Sequence, residues 1–272
     1  MAFYLKKQFY AIINIVSFNL QDLMAMMRKI PLFTGIVFFA LSCSTSNQTT
    51  SLLYKDYRIE KKAKIDSGLI NMLQPYASSL NASMDKVIGF SNTNLNKKQP
   101  ESGLGNFMAD AMRVMAEKKF NKKIDGAFMN DGGIRSYIPK GNITVGKIFE
   151  LMPFDNLVVV QEVKGAVFQQ FLDKTAADGG WPVSAGITMG IRDKKAVNVS
   201  INGKPLDMNA SYTIVNSDYV ANGGSDCTML KGIPYSNKGY LLRDALIEFV
   251  TGLTQQGKPL DFTIEKRVVN VN

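Results

Sequence analysis

The amino-acid sequence predicts an α+β fold, in which a mixed β-sheet within a single domain is packed with helices. Two observations support this class. Segments with strand and helix periodicity follow one another without strict βαβ alternation, and hairpin signals occur beside longer crossover connections. The 272 residues are 46% hydrophobic and 20% charged, an ordinary globular composition, and no linker is visible after residue 64.

The first predicted elements are a helix, a strand and a second helix. Apolar residues at helical spacing predict a helix over 65–84, which Pro75 is expected to bend or split. A strand is predicted over 85–91. Ser102 is a suitable N-cap for the next helix, whose apolar stripe runs to about Lys118 and is typical of a core-facing surface.

The middle of the chain mixes short strands and helices. An apolar strand over 125–129 precedes a helix that starts at the N-cap Thr144 and stops before Pro153. Residues with β-branched side chains predict a strand over 156–163, and apolar spacing predicts a helix over 165–177.

The last third of the chain holds the strongest hairpin signal, the dipeptide at 202–203 (Asn-Gly). The remaining predicted elements are three strands, a helix and a closing strand, over 186–191, 196–201, 211–215, 242–253 and 262–271.

Residues 27–43 have the pattern of an export signal. Two positive charges precede an apolar run that is shorter than the about 20 residues needed to span a bilayer, and small residues and Cys43 follow. The segment resembles a bacterial lipoprotein signal, in which the cysteine becomes lipidated, although Ala40 stands where leucine is preferred. An ordinary cleaved signal or an uncleaved anchor is the alternative.

This interpretation divides the chain into a signal over 1–43, a polar tether over 44–64 and the α+β domain over 65–272. A second apolar patch precedes the signal, so we expect translation to begin at Met26 or Met27. The expected location is the bacterial envelope, with the exported protein anchored to a membrane and facing the periplasm or the cell surface.

Composition excludes several classes of function. The net charge is +9, but the basic residues are scattered without a dense block, so we expect no nucleic-acid partner. Histidine is absent, whereas two-metal hydrolases, Ser-His-Asp triads and most catalytic zinc sites depend on imidazole. The two cysteines, Cys43 and Cys227, cannot form a metal site alone. We therefore expect no catalytic residue, metal or cofactor in this chain.

The stretch 130–156 is densest in residues suited to ligand contact. An Asn-Asp-Gly-Gly turn over 130–133 permits backbone N–H groups to form an anion-accepting nest, and Arg135 adds a planar guanidinium. For this motif alone, a tight turn with a surface arginine is the alternative. Two aromatic residues on turns, Phe154 after a proline and Tyr219 before a second Gly-Gly pair, suit a slot for a flat ring.

Taken together, these motifs resemble the C-terminal domain of the 5'-nucleotidase family over roughly 86–271. The similar segments are 101–111 in the early helix, 130–135, 153–156, Gly165 and 219–224. The resemblance implies a domain that binds the nucleoside part of a nucleotide. In that family, hydrolysis takes place on a separate N-terminal domain that carries two metal ions.

The resemblance also implies roles for individual residues. Phe154 and Tyr219 would hold the base between them, and Asn156 would contact the base edge. The sugar and phosphate side would be contacted by Asn130 and Arg135. The full set of expected substrate-binding residues is Asn130, Gly132, Gly133, Arg135, Phe154, Asn156, Tyr219, Asn222 and Asp226.

Two positions depart from the family pattern. The family has an arginine shortly before the early helix, where this chain has Gln99 and Pro100, and this loss weakens the grip on an anion. Ser225 stands where the family has an aspartate, so contacts to the sugar depend on Asp226 one residue later. No metallophosphoesterase domain is recognised before residue 86.

The leading hypothesis is a nucleotide- or nucleoside-recognition domain of a 5'-nucleotidase-type hydrolase in nucleotide catabolism. It would work with a separately encoded metallophosphoesterase that carries the divalent metals, and alone it is not expected to hydrolyse a phosphoester. The alternative is a non-enzymatic nucleoside-binding surface lipoprotein with a drifted site. A free-standing hydrolase using Asp131 and Asp226 lacks a paired-acid spacing.

Overall fold

The computed structural model describes Met24 and residues 66–271, and the chain from Asp66 onward groups into one compact unit. Met24 apart, the predicted signal with Cys43 and the predicted tether lie outside the described residues and stay predictions. Within the described part of the chain, no helix combines the length and apolar character that a membrane crossing requires.

Helices and strands are interspersed along residues 66–271. The helices are α1 (Ser67–Met84), α2 (Gly103–Phe120), α3 (Val145–Leu151), α4 (Gly165–Ala177), α5 (Asp218–Ala221) and α6 (Leu242–Gln255). The strands are β1 (Val87–Ser91), β2 (Gly126–Ala127), β3 (Gly141–Thr144), β4 (Leu157–Lys164), β5 (Ile187–Arg192), β6 (Lys195–Ile201), β7 (Lys204–Pro205), β8 (Ser211–Ser217), β9 (Tyr235–Leu241) and β10 (Val268–Asn270).

These strands form three sheets within the described residues. Two sheets have four strands, in the orders β2-β8-β4-β9 and β10-β5-β6-β7, and β1 pairs with β3. Each four-stranded sheet is mixed, because β2 runs parallel to β8 and β10 parallel to β5 while the other pairs are antiparallel. The predicted α+β class is confirmed.

The sheet that contains β4 and β8 separates two apolar cores. Successive side chains of a strand point to opposite faces, and the neighbours Ile214 and Val215 of β8 accordingly belong to different buried clusters. One cluster collects the inner faces of α2, α3 and α6, and the other collects α4, β5 and β6. Turns that leave this central sheet therefore start from rigid, doubly covered strands.

Residues of the 101–111 segment hold the C-terminal segment in place through buried polar contacts. The buried carboxylate of Glu101 accepts hydrogen bonds from the N–H groups of Glu265 at 2.7 Å and Arg267 at 2.9 Å. Asp110 forms a two-pronged ion pair with Arg267, at 2.8 and 2.7 Å. The predicted closing strand over 262–271 is therefore wrong for its first half, because side chains instead of a neighbouring strand satisfy that backbone.

Two further differences concern turns and helix ends. Helix α1 runs through Pro75 as one continuous helix, and none of its residues is buried. Strands β5 and β6 form a hairpin whose turn residues, Asp193 and Lys194, both have positive φ (50° and 60°). The sequence gives no signal for this turn, because neither residue is glycine. The Asn-Gly turn at 202–203 joins β6 to β7.

Candidate functional site

Three turns converge on one cleft of about 330 Å³ at the end of the central sheet. It is lined by Asn130, Gly132, Gly133, Phe154, Asn156, Tyr219 and Ser225. Six of these seven belong to the set predicted from the sequence. The other predicted residues, Arg135, Asn222 and Asp226, are not part of the lining.

The first wall of the cleft is the turn that follows β2. Neither Gly132 nor Gly133 has a positive φ, and the N–H groups of Gly133 and Ile134 close a tight 3-10 turn onto Asn130 and Asp131 at 3.0 and 3.2 Å. The anion nest expected from the Asn-Asp-Gly-Gly sequence is therefore not formed, since a nest needs alternating backbone conformations and unused N–H groups.

Asn130 lies in this wall with its carboxamide packed over Gly133. A Cβ on Gly133 would come within 2.9 Å of Asn130 Oδ1 and would also collide with the side chain of Met129, so a larger residue there would displace both neighbours. Asn130 is 6% exposed, and its Oδ1 has no hydrogen-bond partner among the described residues. Buried polar atoms are nearly always paired, so this unpaired oxygen marks an unusual position in the wall of the cleft.

Two cations flank this turn. Lys97 Nζ lies 2.7 Å from both the carboxylate and the carbonyl oxygen of Asp131. Arg135 is exposed, and its Nη1 lies 3.4 Å from the carbonyl oxygen of Gly132, a residue of the lining. Arg135 thus stands at the rim of the cleft, while Lys97, which the sequence did not single out, is neutralised by Asp131.

The second wall is the corner between α3 and β4, which carries Phe154. Arg243 holds this corner: it donates to the carbonyl oxygen of Phe154 at 3.3 Å and to Asp155 Oδ1 at 2.8 Å. Its guanidinium also stacks on Phe149, with 4.2 Å between Cζ and the ring centroid. Sequence reasoning missed Arg243, because its partners Phe154 and Asp155 lie 89 and 88 positions away in the sequence and no local pattern reports such a pairing.

The third wall is the turn after β8, which carries Tyr219. The Tyr219 ring lies flat on Gly224, where an added Cβ would be 2.5–2.6 Å from three ring carbons. Its hydroxyl accepts a hydrogen bond from the N–H of Ser225 at 3.1 Å. Phe154 and Tyr219 are nevertheless 41% and 49% exposed. Both rings are held by the protein and still offer surface to the cleft.

The predicted residues Asn222 and Asp226 have other partners. Asn222 Nδ2 donates to the carbonyl oxygen of Asp218 at 2.8 Å, which closes the Tyr219 turn. Asp226 lies 3.6 Å from Lys174 Nζ and does not move into the place of Ser225, which itself lines the cleft. The hydrogen bond to Asp178, aided by the nearby Asp226, raises the pKa of Lys174 above its ordinary value.

The cleft is almost uncharged. Tyr219 apart, no lining residue has an ionisable side chain, and the polar groups in the lining are two carboxamides, two hydroxyls and backbone. Across residues 66–271, no three His, Cys, Asp or Glu side chains come together in a way that could hold a metal ion. This geometry is suited to holding a neutral, flat group and lacks the groups that activate a nucleophile.

These features define an α+β domain with one uncharged cleft bordered by two exposed aromatic rings. A family model described as "5'-nucleotidase, C-terminal domain" matches residues 79–232. The chain belongs to this family, as its motifs predicted.

Curated relatives and solved structures agree with this assignment. The 5'-nucleotidase of Vibrio vulnificus is 28% identical over 213 residues, which cover 75% of this chain and 37% of that protein. Protein UshA of Yersinia enterocolitica is 26% identical, over 72% of this chain and 36% of its own. The crystal structure of a 5'-nucleotidase precursor from Thermus thermophilus superposes with a TM-score of 0.64 at 28% identity, over 74% of this chain and 43% of that one. The chain thus spans little more than a third of the curated relatives it matches.

Proposed function

We propose that this chain is the nucleotide- or nucleoside-recognition domain of a 5'-nucleotidase-type hydrolase. The observation that carries the proposal is the convergence of Phe154 and Tyr219, from turns far apart in the sequence, on one cleft with Asn130 and Asn156. Stacking of a base on an aromatic side chain contributes about 1–3 kcal/mol. The names of the relatives, which are 5'-nucleotidases, support a nucleotide as the ligand.

Within this proposal the base lies between the two rings. The carboxamide of Asn156 contacts the edge of the base, and the carboxamide of Asn130 contacts the sugar side of the ligand, a proposal supported by the position of both residues in the lining. Arg135 at the rim is the cation available to a phosphate that projects out of the uncharged cleft.

The chemical step belongs to a separately encoded metallophosphoesterase. A two-metal phosphoesterase supplies the divalent ions and the activated water, and this chain contains no histidine to build such a centre. The contribution of this chain is orientation, which makes the attack on phosphorus effectively intramolecular.

The location we propose is the bacterial envelope, with a lipid on Cys43 and residues 44–64 as a tether. The supporting observations are the charged, apolar and small-residue pattern over 27–43 and the word "precursor" in the name of the Thermus thermophilus relative. Metabolic labelling with a clickable fatty acid tests this location. The wild-type protein should be labelled and the Cys43→Ser variant should not. Equal labelling of the two proteins contradicts lipidation at Cys43.

Two measurements test the ligand and the partner separately. Calorimetric titration with AMP, adenosine and a UDP-sugar should detect binding to the purified chain, and no heat with any of them contradicts the proposed site. Mixing the chain with a metallophosphoesterase from the same genome that lacks a C-terminal domain should raise nucleotidase activity. Binding without any gain on mixing would instead support a non-enzymatic nucleoside-binding lipoprotein.

A further inference from the structure

Helix α1 presents an apolar stripe that nothing in the described structure covers. Leu69, Leu73, Tyr76 and Leu80 follow one another at i, i+4, i+7 and i+11, the spacing of one helix face. Their side chains are 50%, 49%, 76% and 57% exposed. An exposed apolar surface of this continuity is typical of an interaction site.

The chemistry of α1 indicates a permanent interface more than a solvated helix. The 18 residues from Ser67 to Met84 include no charged side chain, whereas surface helices usually carry ion pairs on their outer face. At about 100° per residue, Pro75 and Ser78 lie away from the stripe, so the proline leaves the apolar surface continuous. In proteins, most helical stability comes from tertiary packing of an amphipathic face.

The C-terminal end of α1 is joined to the element that presents Phe154. The N–H of Val145 donates to the carbonyl oxygen of Lys86 at 3.0 Å, and Gly146 lies so close to Met84 that an added Cβ would be 3.1 Å from its carbonyl oxygen. Both Val145 and Gly146 belong to α3, whose other end leads into the Phe154 corner. The C-terminal end of α1 is therefore fixed to the helix that leads into the Phe154 corner.

We infer that α1 is the docking helix for the separately encoded metallophosphoesterase, an inference that rests on the proposed function. The matched family is by name a C-terminal domain, and this chain covers only 37% of the Vibrio vulnificus relative, so most of that protein precedes the matched part. The family match begins within α1, at residue 79, so α1 lies where such a preceding domain joins. The occupant is thus the phosphoesterase domain, with an apolar surface of its own.

The test uses the metallophosphoesterase from the same genome that lacks a C-terminal domain, immobilised on a biosensor surface. The double substitution Leu73→Glu and Tyr76→Glu should weaken binding at least about tenfold, because two carboxylates would be buried against an apolar surface. Ser78→Glu is the matched control: it adds a carboxylate on the opposite, polar face and should bind like wild type. None of these side chains is buried, so the melting temperatures should agree.

The outcomes separate this inference from the proposed site. Phe154→Ala should weaken adenosine binding and keep its affinity for the phosphoesterase. The α1 double variant should keep adenosine binding and weaken phosphoesterase binding. The docking inference is overturned if wild type and double variant bind the phosphoesterase equally, or if neither binds it. Adenosine titration decides independently whether the cleft binds a nucleoside. A wild-type dimer in light scattering that the double variant abolishes would show that a second copy occupies α1 and would equally overturn it.

Discussion

Asp218 Oδ1 accepts a hydrogen bond from the backbone N–H of Leu157 at 2.9 Å. The same oxygen accepts from the N–H of Tyr219 at 3.0 Å. Leu157 directly follows the corner that carries Phe154 and Asn156, so a single carboxylate oxygen ties the two aromatic walls of the cleft to each other.

Asp218→Ala should separate these walls. Hydrogen bonds to a charged group contribute about 1.5–3 kcal/mol, so we expect a loss of stability of about 2–3 kcal/mol and a clear fall in adenosine affinity. Urea unfolding and calorimetric titration measure the two effects. Asp218→Asn keeps an acceptor oxygen and should retain most of both, and an Asp218→Ala variant with full affinity would show that the tie is dispensable.

Phe154→Ala removes one face of the proposed base slot. Because stacking contributes about 1–3 kcal/mol per base, the adenosine dissociation constant should rise roughly 5- to 150-fold. Tyr219→Phe keeps its ring and loses only the hydrogen bond from Ser225, so its effect should be smaller. Calorimetry with adenosine ranks the two, and the opposite order would mean that the hydroxyl of Tyr219 matters more than ring stacking.

Gly224→Ala should displace the Tyr219 ring. The new methyl group would lie 2.5 Å from the ring, too close for any side chain, so the ring must move and adenosine binding should weaken. Gly252→Ala in α6 is the matched control, since no atom lies within 4 Å of its added Cβ. That control should bind normally and gain about 0.5–1 kcal/mol in stability. Near-ultraviolet circular dichroism reports the displacement of the Tyr219 ring, and calorimetric titration reports the change in adenosine affinity.

Asp110→Ala should strongly destabilise the domain without touching the cleft. Arg267 is only 3% exposed, and removing one partner of a buried ion pair costs about 3–5 kcal/mol. Urea unfolding measures this loss. Lys122→Ala breaks the exposed pair with Glu162 at 3.8 Å and should change stability by less than about 1 kcal/mol. Similar losses for both would mean that burial does not set the strength of the Asp110 pair.

The pH dependence of stability should contain a component from Cys227. Burial raises the pKa of this thiol from 9.0 to about 12. Between these values the unfolded chain loses the thiol proton while the folded chain keeps it, so unfolding is favoured as pH rises from 9 towards 12. Urea unfolding in a Cys43→Ser background measures this component. With rising pH, the free energy of unfolding of Cys227→Ala should fall less steeply than that of its parent. A parallel decline in both proteins would contradict the assignment.

Residues that act through local backbone chemistry were predictable from the sequence. Thr144 was expected to cap α3, and its hydroxyl accepts from the N–H of Lys147 at 3.2 Å. The Gly-Gly turns and the ring at Tyr219 could be found because turn glycines and aromatic residues outside strands are visible as patterns.

Residues that act through distant partners were not predictable. Arg243 lies 88 positions from Asp155 in the sequence, and Asp218 lies 61 positions from Leu157. No periodicity or spacing reports such pairs, because they depend on which strands become neighbours in the folded sheet. The exposed stripe of α1 was hidden for a related reason: helical spacing shows that a face is apolar, but does not show whether the same chain covers it.

The hydrogen bonds that the Glu101 carboxylate accepts from the C-terminal segment have a consequence for biosynthesis. They join positions 164 and 166 residues apart, so a long loop must close before either bond contributes. A nascent chain on the ribosome cannot make them until residues 265–267 have emerged. The domain therefore completes folding only after this segment has left the ribosome, and a chain truncated before Glu265 should stay unfolded and sensitive to proteases.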